Sequence, residues 1–372
     1  MSSSMLLEQE RRWRRTAMEI KIDNTQKGLP HQFLSYWYLT RRHLKVFFKN
    51  VPTVIFSLMV PLAIFAVYVV FLRSLEVGAI REQFEATLAQ NNLADASDAF
   101  KEEAMTKLSG IADCWMISGV LGVSCITVSL NTDYIVVRDK ETGITRDFIS
   151  SPIDPRIIVL SYFTFNVIVT FAINFLVYLL CLLYIAISGA YMISLVDFFA
   201  ILGILLLSVI SASLITFFIC SFISSESVLS PIVAIVSAAI GFLIGAYLPS
   251  GFVDPGIEKI TVFFPGTYSV SLLRNYFIET PLAKLQDFFM YTDGGKYKPL
   301  AILIDELTGQ FGFNLDFFGY KVPREIMALV ILAFIGIFAA LDIFVGYRHF
   351  FSIRSRKKEK KKEKKDKNVS AD

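Results

Sequence analysis

The chain has 372 residues, of which 54% are hydrophobic and 19% are charged, and its formal net charge is +3 at pH 7. Its mean hydropathy of +0.56 is high, and its apolar content exceeds the roughly 45–50% of soluble domains. The excess lies in long apolar runs, which excludes a soluble globular protein and indicates a polytopic membrane protein.

The first 52 residues are predicted to lie outside the hydrocarbon core. Residues 1–30 are polar and are expected to form a short helix or a loose tail. Residues 31–51 are amphipathic, because their apolar side chains and their cations fall on adjacent sides of a helix. The two sets are Phe33, Trp37, Leu44, Phe47 and Phe48, and Arg41, Arg42, Lys45 and Lys49. Such a helix is expected to lie in the membrane interface, where it either steadies the first span or transmits motion to it.

Six apolar runs are long enough to cross a hydrocarbon core of about 30 Å. They are residues 53–72, 111–130, 157–187, 197–222, 228–248 and 326–347. The second run is the least apolar because it is rich in Ser, Gly and Cys. The third is longer than a crossing requires, so we expect it to tilt. The sequence therefore predicts an all-α membrane protein with six transmembrane helices.

The distribution of Lys and Arg predicts the orientation of these spans. With the N-terminus in the cytoplasm, 25 of the 36 Lys and Arg residues fall on cytoplasmic segments and only 11 on external ones. We therefore expect a multi-pass protein of the cell membrane with both termini in the cytoplasm. The predicted domains are an N-terminal segment (1–52), a six-span domain (53–347) and a basic cytoplasmic tail (348–372).

Three connections between the spans are long enough to have a structure of their own. Residues 73–110, rich in Glu, Asp, Ala and Gln, are expected to form a small external helical hairpin. Residues 249–325 carry apolar patches broken by Pro and Gly, which predict short external helices that dip back toward the bilayer. Residues 131–156 are polar and join the second and third spans on the cytoplasmic side.

The cytoplasmic connection has the features of a docking surface. Gly143 interrupts it, and Pro152 follows shortly before the third span, where proline suits the start of a helix. Between them, residues 144–151 can form about two helical turns, on which Phe148 and Ile149 are expected to be exposed. An exposed apolar pair beside charged residues indicates a binding surface. An ordinary loop is the alternative.

Two motifs resemble those of a transporter family. The connection carries acidic residues, then Gly143, then a Ser-Pro pair before a span, and it resembles the cytoplasmic coupling loop of ABC-2 type transporter permeases. Residues 263–276, after the fifth span, resemble that family's Pro-x-x-Tyr…Leu-Arg segment, here with Pro265, Tyr268 and Arg274. The two motifs occur in the family's order among the six spans.

The resemblance covers roughly residues 31–350 and implies a permease with an amphipathic interfacial helix, a cytoplasmic coupling helix and external re-entrant helices. It also implies a second permease subunit, identical or different, and a separate ATP-binding cassette subunit that docks on the coupling loop. The residues that it implies for coupling are Arg138, Asp139, Glu141, Gly143, Phe148 and Pro152. The family usually has Thr after the loop glycine, whereas this chain has Ile144, so no hydroxyl hydrogen bond is expected there.

The chain lacks the sequence motifs of the common enzyme classes. It contains no Gly-x-x-x-x-Gly-Lys-Ser/Thr loop to cradle ATP phosphates, no His-Glu-x-x-His and no Gly-x-Ser-x-Gly. None of its three histidines lies within a predicted span. We therefore expect no catalytic residues, no metal and no cofactor in this chain, with ATP bound by the partner subunit. Membrane lipids are expected partners and nucleic acids are not.

A polar stripe runs along the third span. Its members, each four positions apart, are Tyr162, Asn166, Thr170, Asn174 and Tyr178. Residues four apart lie on nearly the same helix face. One interpretation is the lining of a path or a hydrogen-bonded dimer seam. The alternative is packing within the chain against a face of small residues on the second span. That face comprises Ser118, Gly122, Cys125 and Ser129.

Two further features of the spans carry predictions. Ser237, Gly241 and Gly245 of the fifth span predict a close helix–helix contact. Asp342 lies about one and a half turns from the inner end of the sixth span. We expect its side chain to reach the nearby surface; pairing with a cation and contact with a proton or a substrate are the alternatives. The sequence shows no paired carboxylates within spans and no proton relay.

These observations favour a permease subunit of an ABC exporter that, with a second permease, encloses a path for a hydrophobic or amphiphilic substrate such as a drug, lipid or peptide. The aromatic content of 14% and the few charges within spans favour such a cargo. The alternatives are a permease for polysaccharides or cell-envelope precursors, and a membrane scaffold or immunity protein that binds its target without transport.

Overall fold

The computed structural model describes residues 29–151, 153–189, 194–247, 255–310 and 315–346. The N-terminal tail, the basic C-terminal tail and Pro152 lie outside these ranges. In chain order, the helices are α1 (Leu29–Lys49), α2 (Val51–Gln90), α3 (Asp98–Thr132), α4 (Tyr134–Glu141), α5 (Ile144–Ser150), α6 (Pro155–Ser188), α7 (Leu195–Ser221), α8 (Glu226–Leu243), α9 (Pro255–Thr261), α10 (Pro265–Tyr291), α11 (Ala301–Gln310) and α12 (Arg324–Leu341). A π-helical turn, Asp342–Gly346, extends α12.

Six of these helices, α2, α3, α6, α7, α8 and α12, are long and apolar enough to cross a membrane. This confirms the predicted all-α polytopic protein with six spans. Helices α1, α4 and α5 lie at one end of the bundle, here named the proximal end, and the opposite end is named distal. A two-stranded antiparallel ribbon, β1 (Leu315–Phe317) and β2 (Tyr320–Val322), precedes α12 and was not predicted.

Helix α3 forms the centre of the bundle. Of its most apolar 18 residues, 94% are buried, against 17% for α2, α8 and α12. It packs against α2, α6, α7, α8 and α10. A Cβ atom on Gly119 would lie 2.6 Å from the carbonyl oxygen of Ala246, and one on Gly122 would lie 2.2 Å from a methyl group of Val270. The small residues that make this span the least apolar are therefore the ones that let its neighbours approach closely.

The distal connection between α2 and α3 is a helical hairpin, as expected for residues 73–110. Helices α2 and α3 continue beyond their apolar runs and form its two arms. The Ser97 side chain caps α3 by accepting from the Phe100 amide at 3.3 Å. The ring of Phe100 stacks on Tyr297, with 3.5 Å between centroids, and Phe84 stacks on Phe289 of α10. These aromatic contacts fix the hairpin against the segment that follows α9.

Helix α10 differs from the short helices predicted for residues 249–325. It is 27 residues long, begins with Pro265 in its first turn, contains Pro281, and buries one face against α3. The prediction of short helices is correct for α9 and α11 and wrong for α10. The error arose because Pro281 was taken as a break, although the helix continues through it.

The glycine pattern of the fifth span does not form a helix–helix contact. Helix α8 ends at Leu243, and Gly245 adopts a positive φ of 64° that turns the chain. Gly241 leaves room for the ring of Tyr247, which a Cβ atom would approach to 2.1 Å. The prediction was wrong because both glycines serve the tight return of the chain rather than a second helix.

Helix α1 is amphipathic as predicted, but its faces are divided differently. Phe33, Trp37 and Phe48 are exposed, as an interfacial helix requires, whereas Phe47 is 1% exposed and packs against Phe165 of α6. The helical wheel placed Phe47 wrongly because the face that packs on α6 lies beside the exposed aromatic face.

The close approach at Gly119 is testable by substitution. We expect Gly119→Ala to lower the free energy of unfolding by about 1–3 kcal/mol, because the new methyl group meets a backbone carbonyl that cannot move independently. Gly78→Ala is the matched control, since nothing lies within 4 Å of its Cβ position in the helix; it is expected to be neutral or to stabilise by up to about 1 kcal/mol. Thermal unfolding in detergent measures both, and equal effects would contradict the packing described.

Candidate functional site

The connection between α3 and α6 folds into two short helices at the proximal end. Helix α4 ends at Glu141, and Gly143 has a φ of 88°, a left-handed conformation that favours glycine. This residue turns the chain into α5, whose seven residues are the two turns predicted for 144–151. The Asp154 side chain then caps α6 by accepting from the Arg156 amide at 2.9 Å.

The first contact of α4 is an ion pair with α1. Asp139 is 2% exposed, and Arg42 donates to both of its carboxylate oxygens, with 3.0 Å between Nη2 and Oδ1. The hydroxyl of Tyr162 on α6 donates to Oδ2 at 2.6 Å. A buried carboxylate is stable only when its charge is paired and its oxygens accept hydrogen bonds. Asp139 therefore holds α1, α4 and α6 together.

A histidine completes this contact. Nε2 of His43 donates to Oγ of Ser161 at 3.2 Å, since the Ser161 hydroxyl itself donates to a backbone carbonyl, and Nδ1 accepts from Arg42 at 3.1 Å. The imidazole ring stacks on Tyr162 with 4.0 Å between centroids. Burial, together with the charge of Arg42, lowers the pKa of His43 to about 3. The ring is therefore neutral at physiological pH.

The second contact joins α4 to the end of α7. Nζ of Lys140 donates to the carbonyl oxygens of Cys220 and Ser221, both at 2.9 Å, and more distantly to that of Ile223. The last carbonyls of a helix have no partner within the helix and carry the negative end of its dipole. A buried ammonium group thus satisfies the proximal end of α7.

The third contact joins α4 to the start of α8. An oxygen of Glu141 accepts from the backbone amide of Glu226 at 2.8 Å, which suits the positive end of a helix. The Glu226 carboxylate accepts from the hydroxyl of Tyr134 and lies 3.9 Å from Nε of Arg138. Three consecutive residues, Asp139, Lys140 and Glu141, therefore each attach α4 to a different part of the bundle.

The outer surface of this segment is polar. The exposed residues are Glu141, Thr142, Arg146, Asp147 and Ser150. Phe148 was expected to be exposed, and this was wrong. It is half-buried against the edge of the His43 ring, with the guanidinium of Arg42 5.3 Å from its ring centroid. The sequence could not show that α1 covers it.

The predicted coupling residues thus come together, although not all face outward. Arg138, Glu141 and Gly143 lie at or near the surface, while Asp139 and Phe148 face α1 and α6. Pro152 and the side chain of Ile149 lie outside the described residues. The assignment of these residues to contact with a partner stays a prediction.

The polar stripe of α6 is buried within the chain, in agreement with the intramolecular alternative. Oδ1 of Asn166 accepts from the hydroxyls of Ser129 and Ser213 at 3.0 and 2.9 Å, and its Nδ2 donates to the Ser129 carbonyl. The thiol of Cys125 lies 3.7 Å from Oδ1 of Asn174. Of the small face predicted on the second span, Cys125 and Ser129 meet the stripe, whereas Gly122 was misplaced and faces α10.

The second sequence motif lies at the start of α10, beside the middle of α3. Arg274 is 4% exposed, donates from Nη2 to the carbonyl of Gly245 at 2.7 Å, and lies 4.7 Å from the ring of Trp115. Pro265 begins the helix, and Tyr268 is buried near its start. The motif therefore anchors the turn after α8 to α3 and α10.

A cavity of about 400 Å³ lies nearby among α7, α10 and α12. Its walls are mostly apolar and include Ile204, Leu207 and Leu272, while Arg324 and Glu325 stand at its edge. Volumes of roughly 300–1,000 Å³ with a few polar groups are typical of small-molecule sites.

The sequence analysis did not identify three contact residues of the proximal site. They are His43, Lys140 and Arg42, the partner of Asp139. The sequence of α4 does indicate that its charged residues have buried partners. Val136, Asp139 and Lys140 share one helix face by their spacing, so charged residues on an apolar face indicated buried partners.

A protein-family model described as an ABC-2 family transporter protein matches residues 72–341. The matched region is more than half of the chain and contains α4, α5 and α10, whereas α1 precedes it. A search of curated proteins finds no match.

The ion pair between α1 and α4 gives a stability prediction. We expect Arg42→Ala to lower the free energy of unfolding by about 3 kcal/mol, because it leaves the Asp139 carboxylate buried without a counter-charge. The adjacent, exposed Arg41 provides the control, and Arg41→Ala is expected to change stability by less than about 0.5 kcal/mol. Thermal unfolding checks both. When Asp139→Asn is added to Arg42→Ala, we expect part of the lost free energy of unfolding to be recovered. If the losses of the two single substitutions simply add in the double variant, the pairing is contradicted.

The neutral histidine gives a pH prediction. His43 has a lower pKa in the folded protein, about 3, than its ordinary 6.5, so the unfolded chain binds the extra proton first. Stability is then complete above about pH 6.5 and falls as the pH drops toward 3. At pH 5 the loss from this group is about 2 kcal/mol. We expect His43→Gln to unfold with a shallower pH dependence between pH 7.5 and 5 than the wild type. If the stability of His43→Gln depends on pH as steeply as that of the wild type, groups other than His43 cause the pH dependence.

Proposed function

Because the chain belongs to the ABC-2 family of transporter proteins, we propose that it is the permease subunit of an exporter driven by a separate ATP-binding subunit. The observation that carries this proposal is the α4–α5 segment. It presents a polar, exposed surface at one end of the bundle and is attached by three consecutive side chains to α1, α6, α7 and α8.

In this proposal the ATP-binding subunit docks on the exposed residues of α4–α5, with Arg146 and Asp147 at the centre of the contact. Both side chains are exposed, and neither is needed to hold α5 in place. Charged, accessible groups of this kind set the register and the specificity of a protein interface.

Movement of α4–α5 would then pass to the spans through the three contacts of α4. Asp139 transmits it to α1 and α6, Lys140 to α7, and Glu141 to α8. Packed interiors move as units rather than deforming gradually. Displacement of this segment would therefore shift four helices together and open or close a path beside them.

The proximal end is proposed to face the cytoplasm and the chain to reside in the cell membrane. In the sequence, 25 of the 36 Lys and Arg residues fall on cytoplasmic segments when the N-terminus is placed inside, which supports this orientation. A second permease, identical or different, would complete the path. Helices α2, α8 and α12 leave most of their apolar surface uncovered, which lipids and that subunit would cover.

The proposed cargo is a hydrophobic or amphiphilic molecule moved outward. The cavity among α7, α10 and α12 supports this class, because an apolar body fits its walls and a charged group fits the Arg324 and Glu325 edge. Most other buried polar side chains of the spans are engaged with one another, as in the stripe of α6.

The test separates docking from transmission. The double charge exchange Arg146→Glu with Asp147→Lys is expected to abolish co-purification of the ATP-binding subunit from mild detergent. Asp139→Asn is expected to leave co-purification intact but to lower ATP-dependent transport of a fluorescent amphiphile into inverted vesicles about tenfold, a typical coupling effect between sites.

The control exchange, Arg81→Glu with Glu82→Lys, alters two exposed residues of the distal hairpin and is expected to change neither quantity. Co-purification that survives the exchange at residues 146 and 147 would contradict the docking site. A preparation that never contains an ATP-binding subunit would favour a scaffold or immunity protein over a transporter.

A further inference from the structure

The cavity among α7, α10 and α12 has a charged rim above apolar walls. At the rim, Nη1 of Arg324 donates to Oε2 of Glu279 at 2.8 Å, and its Nε lies 3.5 Å from a carboxylate oxygen of Glu325. The guanidinium also lies 5.9 Å from the ring centroid of Tyr276. The three charged side chains are exposed, so a ligand at the surface of the bundle can reach them.

Helix α10 holds this rim at the level where two spans begin. Glu279 pairs with Arg324, the first residue of α12, and the next residue of α10, Thr280, donates to Asp197 in the first turn of α7 at 3.0 Å. The apolar runs of these two spans start at residues 326 and 197. The rim therefore lies at the boundary between the distal headgroup layer and the hydrocarbon core.

The apolar walls extend from that boundary to about the middle of the bilayer. Leu207 lies ten residues after Asp197 on α7, and Leu272 lies seven residues before Glu279 on α10. At 1.5 Å per residue they are about 15 and 10 Å from the rim, whereas one leaflet is half of a hydrocarbon core of about 30 Å. Between them, Gly203 leaves open space, since no described atom lies within 4 Å of its Cβ position. The depth of the cavity therefore suits an acyl chain of one leaflet.

The charges of the rim favour a zwitterionic headgroup over an anionic one. Two carboxylates and one guanidinium leave a net formal charge of −1, and the nearest other cation along the chain, Lys321, lies opposite Asp316 in the ribbon. Nη2 of Arg324 has no hydrogen-bond partner among the described residues and can donate to a phosphate, while the carboxylates can accept from a primary ammonium group. A quaternary ammonium group has no N–H to donate.

We propose that this cavity binds one phospholipid of the distal leaflet whose headgroup carries a phosphate and a primary ammonium group. The phosphate meets Arg324, the ammonium group meets Glu325 and Glu279, and one acyl chain lies between Leu207 and Leu272. Charge at the rim selects the headgroup, and the apolar walls hold the chain.

The bound lipid has a consequence for transport. The same cavity supports the proposed cargo class, so a phospholipid in place must leave before a cargo occupies it. This regulatory consequence rests on the proposed function, whereas the binding itself requires only a bilayer around the spans.

Native mass spectrometry of the purified full-length protein in detergent tests the site, with phosphatidylethanolamine, phosphatidylcholine and phosphatidylglycerol of identical acyl chains added separately. The wild type is expected to bind one phosphatidylethanolamine about tenfold more tightly than either other lipid, the effect of one charge-assisted hydrogen bond. Gly203→Phe, whose ring fills the cavity, is expected to weaken this binding by about tenfold or more. Gly336→Phe is the matched control, because Gly336 also lies in a span with no described atom within 4 Å of its Cβ position but does not line the cavity.

A second variant changes the rim without filling the cavity. Glu325→Gln removes an exposed carboxylate and is expected to reduce the preference for phosphatidylethanolamine over phosphatidylcholine to less than about threefold. This variant decides the question if Gly203→Phe fails to fold, which thermal unfolding beside Gly336→Phe would reveal.

Equal binding of the three lipids by the wild type would overturn the proposal, as would a folded Gly203→Phe variant that binds phosphatidylethanolamine as the wild type does. An unchanged headgroup preference in Glu325→Gln would also overturn it. The measurement contains no ATP-binding subunit and no transport step. Failure of lipid binding therefore leaves the proposed exporter standing, and failure of transport leaves the lipid site standing.

Discussion

A charge inside an apolar bundle must find its partner within the bundle, and this constraint organises the proximal end. Asp139 is stable because Arg42 and Tyr162 reach it, and Lys140 because helix carbonyls surround its ammonium group. Glu141 lies at the surface, where its carboxylate accepts from a helix amide. Each partner belongs to a different helix. The three neighbouring charges of α4 therefore join it to α1, α6, α7 and α8, and the chain continues from α4 directly into α5.

The same reasoning explains the centre of the bundle, where the constraint is volume rather than charge. Helix α3 is surrounded on nearly all sides, and its glycines and serines admit the chain after α8 and the side chains of α10. Arg274 of the family motif then fixes this contact through the Gly245 carbonyl and the face of Trp115. The first family motif thus follows the proximal end of the central helix, and the second packs against its middle.

The sequence predicts the features that depend on local periodicity. The six spans, the amphipathic helix α1 and the two turns of α5 follow from apolar runs, helical spacing and Gly143. It does not predict which faces meet, since Arg42 and Asp139 are 97 positions apart. Phe47 and Phe148 were placed outward for this reason, as each is covered by a helix distant in the chain. Pro281 caused a different error. The proline predicted a break in the helix, but α10 continues through it because the helix is held by its packing.

The spacing of the α4 contacts along the chain also bears on how the protein is assembled. Arg42 is synthesised 97 residues before Asp139, whereas the Lys140 and Glu141 partners follow α4 by 80 and 85 residues. Arg42 is therefore already present when Asp139 is made, whereas the last partner of α4 is made only with α8. Until then the contact of Glu141 is missing, and fewer helices hold α4 in place. A segment whose position depends on helices as far along the chain as α8 would offer the proposed ATP-binding subunit a means to distinguish chains that have inserted α8 from shorter nascent ones.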